Sequence, residues 1–152
     1  ENIAMAAPVA TDEEILRAAR LAGVEEFISA HPMGFDMPVG ERGTLLSGGQ
    51  RQAVALARAV VNKARVLFLD EPSSAMDMAS ERAMIQRLQA AMTPEQTLII
   101  STHRHSMLSL IDRLIVIDQG KIVADGPRDD VLAALAARAE QNKSNVIKVT
   151  RG

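Results

Sequence analysis

Two kinds of apolar pattern alternate along the chain. Ile15, Leu16, Ala19 and Leu21 recur at helical spacing behind Thr11 and Glu14, which fit a capping box. A short helix from Val24 to about Ala30 follows Gly23. Ala53, Val54, Leu56, Ala57, Val60 and Val61 form a second stripe, interrupted by Arg51, Gln52, Arg58 and Asn62. Val66-Leu67-Phe68-Leu69 is too brief for a helix between Asn62 and Pro72 and reads as a strand buried on both faces. Met78 to about Met92 is again helical, ended by Thr93-Pro94, and Thr97 to Ile100 is a second buried strand. Strand, helix and strand over this length predict a right-handed crossover into a parallel pair. Arg113 to Asp118 and Lys121 to Asp125, joined by Gln119-Gly120, predict a hairpin that Gly126-Pro127 stops. Arg128 to about Gln141 is a helix with Val131, Leu132 and Leu135 on its apolar side, and a loose or weakly paired tail follows. The fold class is α/β. Helices come first, then a parallel β-α-β core, then a hairpin and a helix.

Composition narrows this picture. The 152 residues, 47% of them apolar, suffice for one domain core. A net charge of −2 leaves no nucleic-acid footprint. Absence of cysteine excludes a disulfide framework and suits a reducing compartment. No apolar run approaches a membrane span, so neither a span nor a signal peptide is expected within these residues. The chain begins at Glu1 rather than Met, which points to a piece of a larger polypeptide. His31-Pro32-Met33-Gly34 and Pro38-Val39-Gly40 punctuate a long loop, in which His31 reads as a surface residue.

Candidate chemistry sits at three places. Ser47 and Gln50 make a second capping box, so Gly48 and Gly49 fall in the first turn of a helix, where glycine is a poor helix former. Bare amides at a helix start can bind an anion, although for these four residues taken alone a capped core helix is the safer account. Asp70 and Glu71 end the first buried strand, beyond whose carboxyl end ligands collect in open α/β sheets. Neighbouring strand residues face opposite ways, which argues for separate jobs. Asp70 suits Mg²⁺ and Glu71 can reach a water as general base; a solvated acidic strand end is the plain alternative. His103 follows the second strand on the same side of the sheet. His103 and His105 lack the further ligands that zinc needs, and His105 reads as a helix-start surface residue.

These pieces together resemble a known family. LSGGQ at Leu46 to Gln50, VLFLDEP at Val66 to Pro72, SAMD at Ser74 to Asp77 and IISTH at Ile99 to His103 are similar, in order, to the signature motif, Walker B strand with catalytic glutamate, D-loop and switch-histidine loop of ABC transporter nucleotide-binding domains. The likeness covers nearly the whole chain up to about Asn142. Glu1-Asn2-Ile3 resembles the segment after the family's Q-loop in exporters, and Val39 to Gly43 the segment that contacts transmembrane domains, with Glu41 a candidate for that coupling. LSGGQRQ, with Arg51 and Gln52, also looks more like exporters than importers. KVTRG, HPMGFDMPVGERG, SAMD and STHRHSML resemble the ATPase subunits of type I protein secretion systems.

The resemblance implies a partial P-loop-NTPase-like fold. Residues 1–46 would form the helical signature subdomain and pre-signature loop, 47–142 the C-terminal part of the ATPase core, and 143–152 a tail. The phosphate-loop pattern G-x-x-x-x-G-K-[ST] is absent: Gly43 and Gly48 have the spacing, but Gly49-Gln50 follow. In the family that loop, its strands, an adenine-stacking aromatic and the Q-loop glutamine all lie upstream, so the chain alone is expected to be inactive. The implied mechanism uses ATP and Mg²⁺ in a head-to-tail homodimer of nucleotide-binding domains. Ser47, Gly48, Gly49 and Gln50 of one domain would close over the γ-phosphate held by the other. Asp70 would hold Mg²⁺ through water, Glu71 would polarise the attacking water, His103 would fix the transition state, and Asp77 would link the two sites. Implied partners are transmembrane domains of the same transporter, with membrane-fusion and outer-membrane secretion subunits beyond them, at the cytoplasmic face of the inner membrane. Two alternatives stand: a soluble ABC-type ATPase acting on DNA or ribosomes, whose usual coiled-coil or basic inserts are missing here, and a non-catalytic interaction fragment. Without those upstream strands the apolar sheet around Val66–Leu69 and Leu98–Ile100 would have an uncovered edge or face, which predicts self-association or strand exchange in isolation.

Overall fold

The computed structural model describes residues 1–149, with side chains through Glu140. The chain divides into two compact units, Glu1–Ser106 and Met107–Gly152.

In the first unit α1 (Asp12–Ala22) starts at the Thr11–Glu14 capping box, with both reciprocal hydrogen bonds formed. It ends at Gly23, whose φ of 78° supplies the left-handed residue that closes a helix, and α2 (Val24–Ile28) begins there. A side chain at 23 would also run into the Arg87 guanidinium. α3 (Gly48–Val60) and α4 (Met78–Ala91) complete the helical layer, α1 packing on α2, α3 and α4. Ala18, Ala19, Ala22 and Ala57 are buried on these helices, as are Leu56, Met84 and Leu88. Small side chains let the helix axes approach closely and bury apolar area at little rotamer cost. Arg87 ties α4 to the other helices through the Leu21 carbonyl and Glu26. Arg58 donates to both the carbonyl and the side chain of Asn2, at 2.7 Å each, anchoring the N-terminal segment on α3.

β1 (Val66–Asp70) and β2 (Thr97–Ser101) pair in parallel, Asp70 opposite Ser101, as the strand–helix–strand pattern predicts. The expectation that β1 is buried on both faces is corrected. Leu67 and Leu69 are buried, but Val66 and Phe68 are 58% and 63% exposed, and Ile99 on β2 is 45% exposed. Side chains alternate across a strand, and within this unit the helical layer covers one face only.

In the second unit β3 (Arg113–Asp118) and β4 (Lys121–Pro127) form the expected antiparallel hairpin, with a bulge at Val116/Ile117. Gly126 and Pro127 do not stop β4 but pair with Leu114 and Arg113. Proline is tolerated at a strand end, where its missing N–H breaks no ladder. α5 runs Arg128–Val149, which corrects the tail expected over 143–152 as far as Val149. No glycine or proline interrupts Arg128 to Val149, so nothing in the sequence ends the helix at Asn142. Residues 150–152 of that tail lie outside the described residues.

Candidate functional site

Glu71 is the first residue beyond β1 and adopts a left-handed conformation, φ 43°. Its amide donates to the Ser101 carbonyl at 2.8 Å, which carries the strand pairing one step past the sheet. A non-glycine residue held there is strained, and such strain concentrates at functional sites. The turn swings the Glu71 carboxylate onto the loop after β2. Its Oε1 accepts from the His103 amide at 3.1 Å and lies 2.8 Å from His103 Nδ1. Oε2 is buried and has no hydrogen-bond partner. With Glu71 as a carboxylate, Nδ1 carries the proton; Nε2 then donates only from the imidazolium form. Asp70 stands exposed at the strand end beside them.

A second cluster forms at the start of α3. Ser47 Oγ accepts from the Gln50 amide at 3.2 Å, and Gln50 Oε1 accepts from the Ser47 amide at 2.9 Å. Accepting at Oγ leaves the Ser47 O–H available to donate, and the first-turn amides of Gly48 and Gly49 have no partner within the helix. The two glycines also have a packing role. A Cβ on Gly48 would sit 2.9 Å from Ala75 Cβ, and one on Gly49 would sit 3.4 Å from the Ala75 carbonyl oxygen. Ser47, Gly48, Gly49, Asp77 and Ser80 line one open cleft of about 330 Å³. Asp77 caps α4, accepting at 2.9 Å from each of the Ala79 and Ser80 amides and from Ser80 Oγ. The Ser80 amide first, and its hydroxyl next, hold the Asp77 carboxyl below the ordinary aspartate range.

Comparison with known proteins decides the family. A profile described as ABC transporter matches residues 4–74. The chain is 41% identical over 137 residues to a protein of Staphylococcus aureus named as a multidrug export ATP-binding/permease protein, covering 90% of this chain and 24% of that one. It is 45% identical over 130 residues to a multidrug efflux ATP-binding/permease protein of Mycobacterium bovis, covering 86% of this chain and 11% of that one. A bacterial Atm1-family ABC exporter solved with ATP bound superimposes with a TM-score of 0.81 at 36% identity, over 91% of this chain and 25% of that chain. The chain belongs to the ABC transporter ATP-binding domains. It spans about a quarter of the length of the Staphylococcus relative.

Within this ATP-binding domain the two clusters are joined by a residue that the sequence marked only as part of the exporter-like LSGGQRQ segment. Gln52, one turn into α3, donates from Nε2 to the Glu71 carbonyl at 3.2 Å and to Ser74 Oγ at 2.6 Å. Its Oε1 accepts from the Ala75 amide at 2.9 Å. One side chain thus spans from the signature helix to the turn between Glu71 and Asp77. Its position two residues after LSGGQ was visible in the sequence; its partners, 19 to 23 residues away, carried no local signal.

The donor set suits a hard cation bound alongside nucleotide. Mg²⁺ takes oxygen ligands and is commonly held by one or two carboxylates together with phosphate oxygens. Asp70 is an exposed carboxylate at the strand end, free to face such a cation. Among the described residues no group of three or more His, Cys, Asp or Glu is placed to hold a metal alone. Also among them, no helix is long and apolar enough to cross a membrane.

Proposed function

We propose that the complete polypeptide is an exporter that hydrolyses ATP at paired ATP-binding domains, and that Glu71 is the general base. The observation that carries this reading is the Glu71 carboxylate, gripped at Oε1 by His103 while buried Oε2 stays unpartnered. An oriented carboxylate with one idle oxygen is what abstracting a proton from water requires. His103, donating from Nδ1 to Glu71, sets the carboxylate's direction and in its imidazolium form would donate from Nε2 to the transferred phosphoryl group. Ser47 and the Gly48 and Gly49 amides, from the second copy of the domain, are preorganised donors for the γ-phosphate oxygens. Gln50 fixes Ser47, and Asp77 stiffens the segment between the two sites by capping α4. Asp70 would hold Mg²⁺, which would supply charge neutralisation at the phosphates when bound.

Transmembrane domains and a second ATP-binding domain are the partners this reading requires, at the cytoplasmic face of the inner membrane. Protein secretion of type I is our reading of the cargo class, with membrane-fusion and outer-membrane subunits beyond. Its support is the segments HPMGFDMPVGERG, SAMD, STHRHSML and KVTRG, while the relatives compared bear multidrug export names. ATP turnover by the complete polypeptide, measured with Glu71→Gln alongside and with either an unfolded polypeptide or a hydrophobic drug added, tests both levels. Stimulation by drug alone would remove the secretion reading and leave the exporter one standing.

A further inference from the structure

Glu81, in the first turn of α4, is the one charged side chain buried among the described residues, 5% exposed. Its two oxygens are occupied separately, Oε2 by Arg104 Nη1 and Oε1 by the Ser106 hydroxyl. Burial pushes its carboxyl up. The Ser106 hydroxyl, the nearby Ser73 hydroxyl and the Arg104 guanidinium outweigh that and hold it below the usual glutamate range. Ser73 acts at a distance, since its Oγ meets no hydrogen-bond geometry. Arg104 directly follows His103. Its amide donates to Thr102 Oγ1 at 3.0 Å and its Nη2 reaches the Ser74 carbonyl at 3.3 Å. The His103 side chain is 77% exposed, so no wall of neighbours holds its ring. Its Nδ1 meets Glu71 Oε1, and the backbone that carries the ring runs directly into Arg104, which is anchored at Glu81 and Ser74.

We propose that Glu81 and Arg104 are a positioning pair for hydrolysis, bracing the His103 backbone against α4 and the Ser74 turn so that His103 meets Glu71. This rests on the reading of Glu71 and His103 given above. Neither residue of the pair touches the reacting atoms. Displacing a catalytic group by about 1 Å can cost about 10²-fold in rate.

The test uses the complete polypeptide with Glu81→Gln, which keeps the shape and the Ser106 contact and loses the charge. The expected result is a fall in kcat of about 10- to 100-fold with KM for ATP unchanged within about twofold. Amide hydrogen exchange, read by mass spectrometry, should accelerate in the peptide holding His103 and remain unchanged along α3 and β1. A role in folding alone would instead speed exchange throughout α4 and lower the melting temperature. Should Glu81→Gln not fold, Arg104→Lys replaces it: Lys retains the charge and is expected to keep more turnover than Arg104→Ala. Wild-type kcat with unchanged exchange at His103 in a folded variant overturns the proposal. If the wild-type protein itself shows no ATP turnover, the hydrolysis reading fails separately, and exchange at His103 still decides whether the pair positions it.

Discussion

Gly48 and Gly49 sit side by side in the first turn of α3, yet alanine should act on them with opposite sign. At 48 the new methyl carbon would lie 2.9 Å from Ala75 Cβ, against an optimum of about 3.5–4.0 Å between carbons. Both atoms are bonded directly to backbone, so relief requires α3 to move relative to the Ser73–Asp77 turn. Overpacking of this kind costs about 1–3 kcal/mol. The helix propensity of alanine over glycine returns at most about 1 kcal/mol. Gly48→Ala is therefore expected to destabilise by up to about 2 kcal/mol. At 49 the nearest atoms are the Ala75 carbonyl oxygen at 3.4 Å and Met76 Cγ at 3.7 Å, both ordinary contacts. Neither glycine has a positive φ. Gly49→Ala should then be stabilising by about 0.4–1 kcal/mol, through reduced freedom of the unfolded chain. Urea unfolding of both variants, with the slope checked for constancy, gives the comparison. Two shifts of the same sign, or Gly48→Ala the more stable of the two, would refute the claim that signature and turn are packed to contact at 48.

Other consequences are simpler. Gln52→Ala removes three hydrogen bonds to the Glu71–Ala75 turn and should cost on the order of 2 kcal/mol, with faster amide exchange at Ala75 as its local mark. A change confined to α3 would mean that Gln52 does not hold the turn. Phe68→Ser, placed on the open face of β1, should lower the apparent mass of this chain in light scattering, since the exposed Val66, Phe68 and Ile99 invite self-association. A wild-type chain that is already monomeric counts against that.

Much of the fold was legible because its signals are local. Both capping boxes, Thr11–Glu14 and Ser47–Gln50, form with both hydrogen bonds that the motif requires. The strands at Val66 and Thr97 are marked by short apolar runs, and their parallel pairing follows from the helix between them. The hairpin turn falls at Gln119-Gly120, with φ values of 47° and 73°. What escaped depends on partners distant in sequence or on the absence of a signal. An apolar run cannot say which face finds a cover, so β1 was expected to be buried on both. Lys143 to Val149 lacks a helix stop, and polar composition alone did not distinguish a continuing helix from a tail. At the site, the residue types and their strand-end placement were readable. The left-handed turn at Glu71 and the grip of His103 on it were not, nor were the bridge through Gln52 and the pairing of buried Glu81 with Arg104. Each links positions 19 or more residues apart through side chains that look merely solvated in the sequence.

ATP turnover by the complete polypeptide carrying Glu71→Gln tests the central assignment most directly. Glutamine preserves the shape at the end of β1 and removes the base, which is worth about 10²–10⁴ in rate. The assignment predicts that Mg-ATP still binds while hydrolysis falls by that factor. Near-normal hydrolysis by a variant that binds ATP would contradict it and move the base elsewhere.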